Sequence, residues 1–412
     1  MKYRKSQSLA SHYKTLVFIS VTSTVVIIYV LQLLSTPSGE WMRDSAAVLV
    51  GFADEISSAA VFNVGLMSTS RNSPVNSDLI IAPPEDSKTN KTGRYVSMCW
   101  GCLNDGRRLG NQLFNFAAML HVAQLTGRRV AMLRHHPHGW LDRWFEVPVT
   151  HVDSIDTELC PCVQVGEKAH LAYKPQLAML SNQTYIAGKS ILLCGYFQSW
   201  KYTEGVESAL RHHLRLLTNV SAAVRHYLDH IRPSAWKEQS FSRVGVHVRS
   251  GDIMRRYKWK YGYTIPQRPY FEQAMSLFVA EQQERRGRVQ FVVTSDSLAW
   301  AKRTINFTSI AEQLNRTSSS STKDDVVVDV VYSEGHDAGF DLALLSLCDG
   351  VIMSTGTYGW WGAWLANKTT VYYSNWPRAG SPLFKEFKRY DFFPPNWIPI
   401  GGPEIRIPVP LP

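Results

Sequence analysis

Residues Thr15 to Leu34 read TLVFISVTSTVVIIYVLQLL, twenty positions without a charge. No other feature constrains the chain as strongly, because a helix of that length spans roughly 30 Å, about one bilayer hydrocarbon core. Lys2, Arg4, Lys5 and Lys14 precede the run with no acidic residue among them, and Glu40, Arg43 and Asp44 follow it. The positive-inside rule therefore predicts a cytosolic tail over 1–14, a signal-anchor over 15–34 and a lumenal remainder. A cleaved signal peptide would carry a shorter apolar region and a convincing A-x-A site before the acidic flank, and neither is present. No second run of this length occurs, so the expectation is a single-pass type II membrane protein.

Six N-x-[S/T] sequons, at Asn90, Asn182, Asn219, Asn306, Asn315 and Asn367, agree with a lumenal domain, although chance produces some sequons in any chain. Cys99, Cys102, Cys160, Cys162, Cys194 and Cys348 contain a C-x-x-C and a C-x-C pair that could be read as zinc or redox motifs. In an oxidising lumen disulfides are the better reading, and the spacing leaves their connectivity open. A net charge of +10 suits an anionic ligand, an anionic membrane surface or nucleic acid. The membrane signal disfavours nucleic acid.

Residues 35–93 are rich in Ser, Asn, Pro and Asp without a sustained apolar period and predict a stem. Order is expected from the strand Tyr95-Val-Ser-Met-Cys99. A Gly-rich turn, Gly106-Arg-Arg-Leu-Gly110-Asn111-Gln112, then leads into an amphipathic helix closed by Gly127, and a strand follows at 129–133. A second series predicts strands at 243–249, 289–294, 326–332, 350–353 and 371–374. Helices are expected between them near 268–284, 297–304 and 337–347, and from 354–357 toward 365. Strand–helix alternation, twice over, predicts an α/β chain with parallel sheets in two Rossmann-like domains facing a cleft. The stretch 315–325, NRTSSSSTKDD, reads as an inserted surface loop.

Period-two alternation puts His247 and Arg249 on one face of their strand, at the carboxyl end where open α/β sheets bind ligands. A forked, always-charged guanidinium there suits a phosphate. An isolated H-x-R is better explained by structural partners on a half-buried strand. Ser354-Thr355-Gly356-Thr357, between a strand and a helix, offers amides and hydroxyls for a diphosphate, or a plain N-cap. Asp296 could accept from a nucleotide base or ribose, or cap a helix. Arg255-Arg-Tyr-Lys-Trp-Lys260 reads as a solvated charge run that could face a substrate. The chain contains no D-x-D, the pattern with which many nucleotide-sugar transferases hold a divalent metal. His135-His136-Pro-His138 lacks a nearby carboxylate or cysteine that would complete a familiar metal spacing.

In order along the chain, several segments resemble the galactoside α1,2-fucosyltransferase family, glycosyltransferase family 11. Arg108-Leu-Gly110-Asn111-Gln112 is similar to its G-R-F-G-N-Q turn, and His138-x-x-Leu141-x-x-x-Phe145 to its H-x-x-L-x-x-x-F segment. Gly195-Tyr-Phe-Gln198-Ser-Trp200 resembles G-Y-x-Q-S-W, Val244 to Arg249 resembles V-G-V-H-V-R-R-G-D, and Phe291 to Ser295 matches F-V-V-T-S. Asp341-Leu-Ala-Leu-Leu345 with Ile352 to Gly359 is similar to D-F-A-L-L…I-M-T-I-G-T-F-G, and Ser381-Pro-Leu-Phe to the C-terminal S-P-F. The resemblance covers about residues 95–400 and departs at two places. Arg107 stands where the family turn has glycine, which could shift the turn. Ser250 stands where it has a second arginine, which removes one positive charge near the diphosphate.

The resemblance implies a GT-B-like fold, with an acceptor-side α/β domain over 94–238, a GDP-fucose-binding Rossmann-like domain over 239–380 and a C-terminal extension over 381–412. It implies an inverting, metal-independent hexosyltransferase of the Golgi membrane. Fucose would pass from GDP-β-L-fucose in α1,2 linkage to a terminal galactose of glycoprotein or glycolipid glycans. Arg249 and His247 would be the catalytic residues, Arg249 on the diphosphate with His247 nearby; Ser354, Thr355, Gly356 and Thr357 would cradle it, and Asp296 would be a nucleotide contact. Arg108, Asn111, Gln112 and His138 would bind substrate in the cleft. His138, Asp105 and Asp341 are candidates for the general base. A fucosyltransferase of another linkage, or an inactive glycan-binding member of the same fold, remains the alternative.

Overall fold

The structure, a computed structural model, describes residues 95–99, 108–134, 141–147, 150–153, 162–166, 171–175, 177, 180, 184–283, 287–318 and 326–401. The expected tail, anchor and stem lie outside these residues, as do Asn90, Asp105, Arg107, His135, His136, His138 and Asn182. Among the described residues no helix is long and apolar enough to cross a membrane.

The first sheet is built from β1 (Tyr95–Met98), β2 (Arg129–Leu133), β3 (Thr150–Val152), β4 (Cys162–Gly166) and β5 (Ser190–Cys194), in the order β3-β2-β1-β5-β4. Every pairing in it is parallel. Helix α1 (Leu109–Thr126) connects β1 to β2, and Gly127, in the left-handed region at φ 63°, closes it by giving its N–H to the Ala123 carbonyl. The helix starts earlier than its apolar period suggests, so Gly110, Asn111 and Gln112 form its first turn and not a loop. Gly110 is there for contact: a Cβ would lie 2.7 Å from the backbone of Thr357.

Helices α2 (Glu207–His213) and α3 (Thr218–His230) lead to the second sheet. It runs through β6 (Ser242–Val248), α4 (Arg256–Tyr261), α5 (Arg268–Gln283), β7 (Arg288–Ser295), α6 (Phe307–Ser318), β8 (Val327–Tyr332), α7 (Ala338–Ser346), β9 (Gly350–Met353), α8 (Thr357–Ala366), β10 (Thr369–Tyr373) and β11 (Ile398–Ile400). The order is β11-β10-β9-β6-β7-β8, again parallel throughout. The architecture is α/β with two parallel sheets, as the alternation predicted. Three details differ from expectation. Residues 315–318 belong to α6 and not to a loop, the helix expected near 297–304 is a short turn followed by a π-turn at Ala301–Ile305, and the segment after 381 supplies β11.

One apolar core joins the two sheets. Phe114 of α1 packs on Trp360 and Trp361 of α8, with ring centroids at 4.5 and 5.2 Å, and all three side chains are fully buried. Burying aromatics of this size contributes on the order of 2–3 kcal/mol each. The contact fixes the first turns of α1 and α8 against each other. Cys99 and Cys162 each take part in a disulfide. Cys348 is a buried thiol whose pKa burial pushes up to about 12, which makes it a packing residue.

Candidate functional site

Three strands of the second sheet end side by side where α1 and α8 meet. β6 hands over to Arg249, Ser250 and Gly251, β7 to Asp296, and β9 to Ser354, Thr355 and Gly356. This is the carboxyl edge of a parallel sheet, with the N-terminus of α8 opening into it.

Arg249 is held from three sides. Its backbone N–H donates to Ser354 Oγ at 2.9 Å, and its Nε and Nη2 donate to the two oxygens of Asp252 at 3.2 and 3.1 Å. Its guanidinium carbon stands 5.3 Å from the ring centre of Tyr263. Burial opposes its charge, but Tyr263, Asp252 and Asp296 outweigh burial and hold the guanidinium above its ordinary pKa. Nη1 faces Gly356, which sits at φ 90° as the N-cap of α8, and a Cβ at that position would come within 2.4 Å of it. Only glycine satisfies both the backbone angle and the close approach.

Asp252 also accepts from Nη1 of Arg108 at 3.2 Å, which ties the start of α1 to the end of β6. Burial would raise its pKa, but the hydrogen bonds and charge of Arg249, with Arg108 and Lys258, hold the carboxyl below its usual range. Asp296 is not left free for a ligand on both oxygens: Oδ1 accepts the N–H groups of Ser250 and Gly251 at 2.8 and 3.0 Å. It therefore shapes the loop after β6.

His247 is 5% exposed, and burial lowers its pKa to about 4, with Asp296 raising and Arg249 lowering it. The neutral ring lies 3.3 Å from Ser354 Oγ at Nδ1 and packs 5.3 Å from Tyr358. Ser354 Oγ takes the Arg249 amide and can give its own proton to that nitrogen, so His247 supports Arg249 through Ser354. Thr355 is fully buried with Oγ1 lacking a partner, and Ser250 is buried in the same way. The departure at Ser250 is thus a position that points inward.

Asn111 joins the sheets directly. Its Oδ1 accepts from Thr357 Oγ1 at 2.9 Å and from Gln198 Nε2 at 3.0 Å. Gln112, by contrast, is buried at 6% exposure. Asp341, in the first turn of α7, accepts from Ser333 Oγ at 2.8 Å, and burial raises its pKa to about 6. Asp337 caps that helix, donating nothing and accepting the N–H groups of Gly339 and Phe340.

Arg108, Asn111, Arg249 and 354–357 come together in the fold, beside Asp252, Gln198 and Lys258, which the sequence shows only inside its motifs and basic run without a role, and Tyr263, which it does not single out. The R-x-x-D spacing of Arg249 and Asp252 could have signalled a role for the latter, whereas nothing local marks Tyr263. Of the sequon asparagines described, Asn219, Asn306 and Asn367 are exposed, and Asn315 is engaged by β8. Among the described residues no group of three or more His, Cys, Asp or Glu could hold a metal ion. The arrangement offers fixed positive groups and the positive ends of two helices to an anion.

The sequence pattern of glycosyl transferase family 11 matches residues 76–401. The chain is 29% identical over 317 residues to galactoside alpha-(1,2)-fucosyltransferase 2 of Rattus norvegicus, covering 76% of this chain and 80% of that one. It is 30% identical over 299 residues to galactoside alpha-(1,2)-fucosyltransferase 2 of Pongo pygmaeus, covering 72% and 77%. It is 28% identical over 300 residues to galactoside 2-alpha-L-fucosyltransferase SEC1 of Bos taurus, covering 73% of each. Among solved structures, POFUT1 in complex with GDP-fucose aligns at 12% identity with a TM-score of 0.43, over 68% of this chain and 96% of that one.

Proposed function

The chain belongs to glycosyl transferase family 11 and is a fucosyltransferase, and on that premise we propose that it transfers L-fucose from GDP-fucose, with inversion, to the 2-hydroxyl of a terminal galactose. The observation that carries the donor assignment is Arg249 set against Gly356 at the N-terminus of α8, with the first turn of α1 alongside. In this reading the two sheets form a GT-B-like pair, and the diphosphate lies between Nη1 of Arg249 and the opening amides of α8.

The galactose 2-hydroxyl attacks the anomeric carbon as GDP departs, so negative charge grows on the diphosphate in the transition state. Groups already fixed at that point stabilise the departing charge without reorganising. Arg249 is fixed by Asp252, Ser354 and Tyr263, and His247 holds Ser354. Basic side chains and helix-end amides take the part a metal plays elsewhere, and activity is proposed to survive chelation. Asn111, held by Thr357 and Gln198, lines the boundary between donor and acceptor. The base that takes the hydroxyl proton is not assigned: Asp341 is engaged by Ser333, and Asp105 and His138 lie outside the described residues.

We place the catalytic portion in the Golgi lumen behind the 15–34 anchor. The disulfides at Cys99 and Cys162 and the exposed sequons Asn219, Asn306 and Asn367 support that placement. The deciding assay supplies GDP-fucose with a β-galactoside acceptor and chelator present. Methylation analysis of the product should show galactose substituted at O2. Substitution at another position would refute the linkage, and absence of GDP release would refute transferase activity of this chain.

A further inference from the structure

We propose that Lys258 is a second donor-binding cation, whose ammonium takes an oxygen of the nucleotide sugar's diphosphate beside the one taken by Arg249. The inference rests on the GDP-fucose reading above. The run 255–260 looks in the sequence like a solvated stretch of charge, but it folds as helix α4 directly after the Asp252 turn. Arg255, Arg256, Tyr257 and Lys260 are exposed, and Lys258 alone among the run's cations is partly buried.

Its Nζ lies 5.2 Å from the centre of the Tyr263 ring, the same ring on which the Arg249 guanidinium rests at 5.3 Å. It also lies 5.6 Å from the ring of Tyr257. Two like charges sharing one aromatic side chain repel each other unless an anion stands between or beside them. Asp252 is the nearest such anion and feels Lys258, but both its oxygens are taken by Arg249 and one also by Arg108. Among the described residues no carboxylate forms an ion pair with Lys258 itself.

Arg108, Arg249 and Lys258 thus converge on Asp252, and Asp296, the other carboxylate felt by Arg249, has turned one oxygen to the loop amides. The set is left with a positive excess, to which the N-terminal ends of α1 and α8 add. A diphosphate laid from Gly356 toward Tyr263 would meet Arg249 first and Lys258 next. Ser250, buried and uncharged where a family arginine was expected, then leaves no deficit, because the charge comes from α4.

The test uses the full chain, solubilised from membranes, as wild type, Lys258→Met and Lys258→Arg. GDP binding is measured by calorimetry, and initial rates are measured against donor and acceptor separately. Lys258→Met should weaken GDP binding and raise donor KM about tenfold, the loss expected for one charge-assisted contact. Acceptor KM and the melting temperature should stay put, and Lys258→Arg should recover most of the affinity. Unchanged GDP affinity in a folded Lys258→Met protein, or a rise confined to acceptor KM, overturns the assignment while leaving the donor reading intact. A wild-type chain that binds no GDP overturns both.

Discussion

At Arg249 the Nε and Nη2 donors are engaged by Asp252, which leaves Nη1, beside Gly356, as the edge turned toward a ligand. A lysine at this position keeps a charge but cannot chelate Asp252 and present a third donor at the same time. Arg249→Lys should therefore lower kcat on the order of a hundredfold or more, by analogy with removal of one transition-state donor. The melting temperature should change little, because an ammonium can still pair with Asp252. The check is kcat per folded molecule beside a thermal unfolding curve, and a well-folded variant turning over near the wild-type rate would remove Arg249 from the mechanism. The residue types here were legible from the H-x-R at a strand end. Their roles were only half legible, since the family resemblance makes His247 a catalytic neighbour of the diphosphate, whereas in the fold it is a neutral, buried ring beside Ser354. Burial is a property of what packs from α8, and no local pattern reports it.

At the scale of elements, strands with continuous apolar runs such as β6, β7 and β9 are readable because a parallel sheet buries both their faces. β3, with three residues, and β4, with exposed positions, carry too little pattern to be seen. Helix α6 was hidden by polar composition: its end, at 315–318, resembles a linker. There Asn315 acts as a piece of strand, giving Nδ2 to the Val328 carbonyl at 3.0 Å and accepting the Val328 N–H at 2.8 Å. β8 is an edge of the sheet, and this side chain covers part of it. Thr317, the other half of the sequon, returns its hydroxyl to the Gln313 and Leu314 carbonyls. A glycan on Asn315 would replace one amide hydrogen and crowd β8. Glycopeptide mapping of the chain expressed in eukaryotic cells should find Asn219, Asn306 and Asn367 available for occupancy and Asn315 largely bare. Full occupancy at Asn315 in active protein would show that the pairing with β8 is dispensable.

For the whole molecule, the sequence implied two parallel α/β halves but not how one core unites them, because Phe114, Trp360 and Trp361 meet across more than two hundred residues of chain. That core sets the response to acid. His213 and His247 are both buried, and burial lowers each to about 4, with His212 and Arg215 adding at the first and Asp296 opposing Arg249 at the second. A histidine with a depressed folded pKa favours the neutral form, so the unfolded chain binds more protons between about pH 4 and 6.5. Stability then rises with pH across that window and is fully present above it, by about 1.4 kcal/mol per pH unit for each such group. Asp341 works the other way: burial raises it to about 6, so the folded chain binds more protons between its ordinary range and that value, and stability falls as pH rises there. Glu204, raised by burial and by Glu207, adds to this opposition. Two histidines against Asp341 leave a net gain with pH between about 4 and 6.5, to which His121 and His336, also lowered by burial, add; it fades above that window as the unfolded chain's histidines lose their protons. Urea midpoints measured from pH 4.5 to 7 should rise accordingly. His213→Gln should flatten the slope without touching turnover at neutral pH, because His213 lies in α2, which supplies none of the residues of the site. Asp341→Asn should steepen the slope by removing the opposing carboxyl. A flat wild-type profile, or a His213→Gln profile as steep as the parent, would mean that the buried ring is protonated in the folded chain and that the core around α2 admits water.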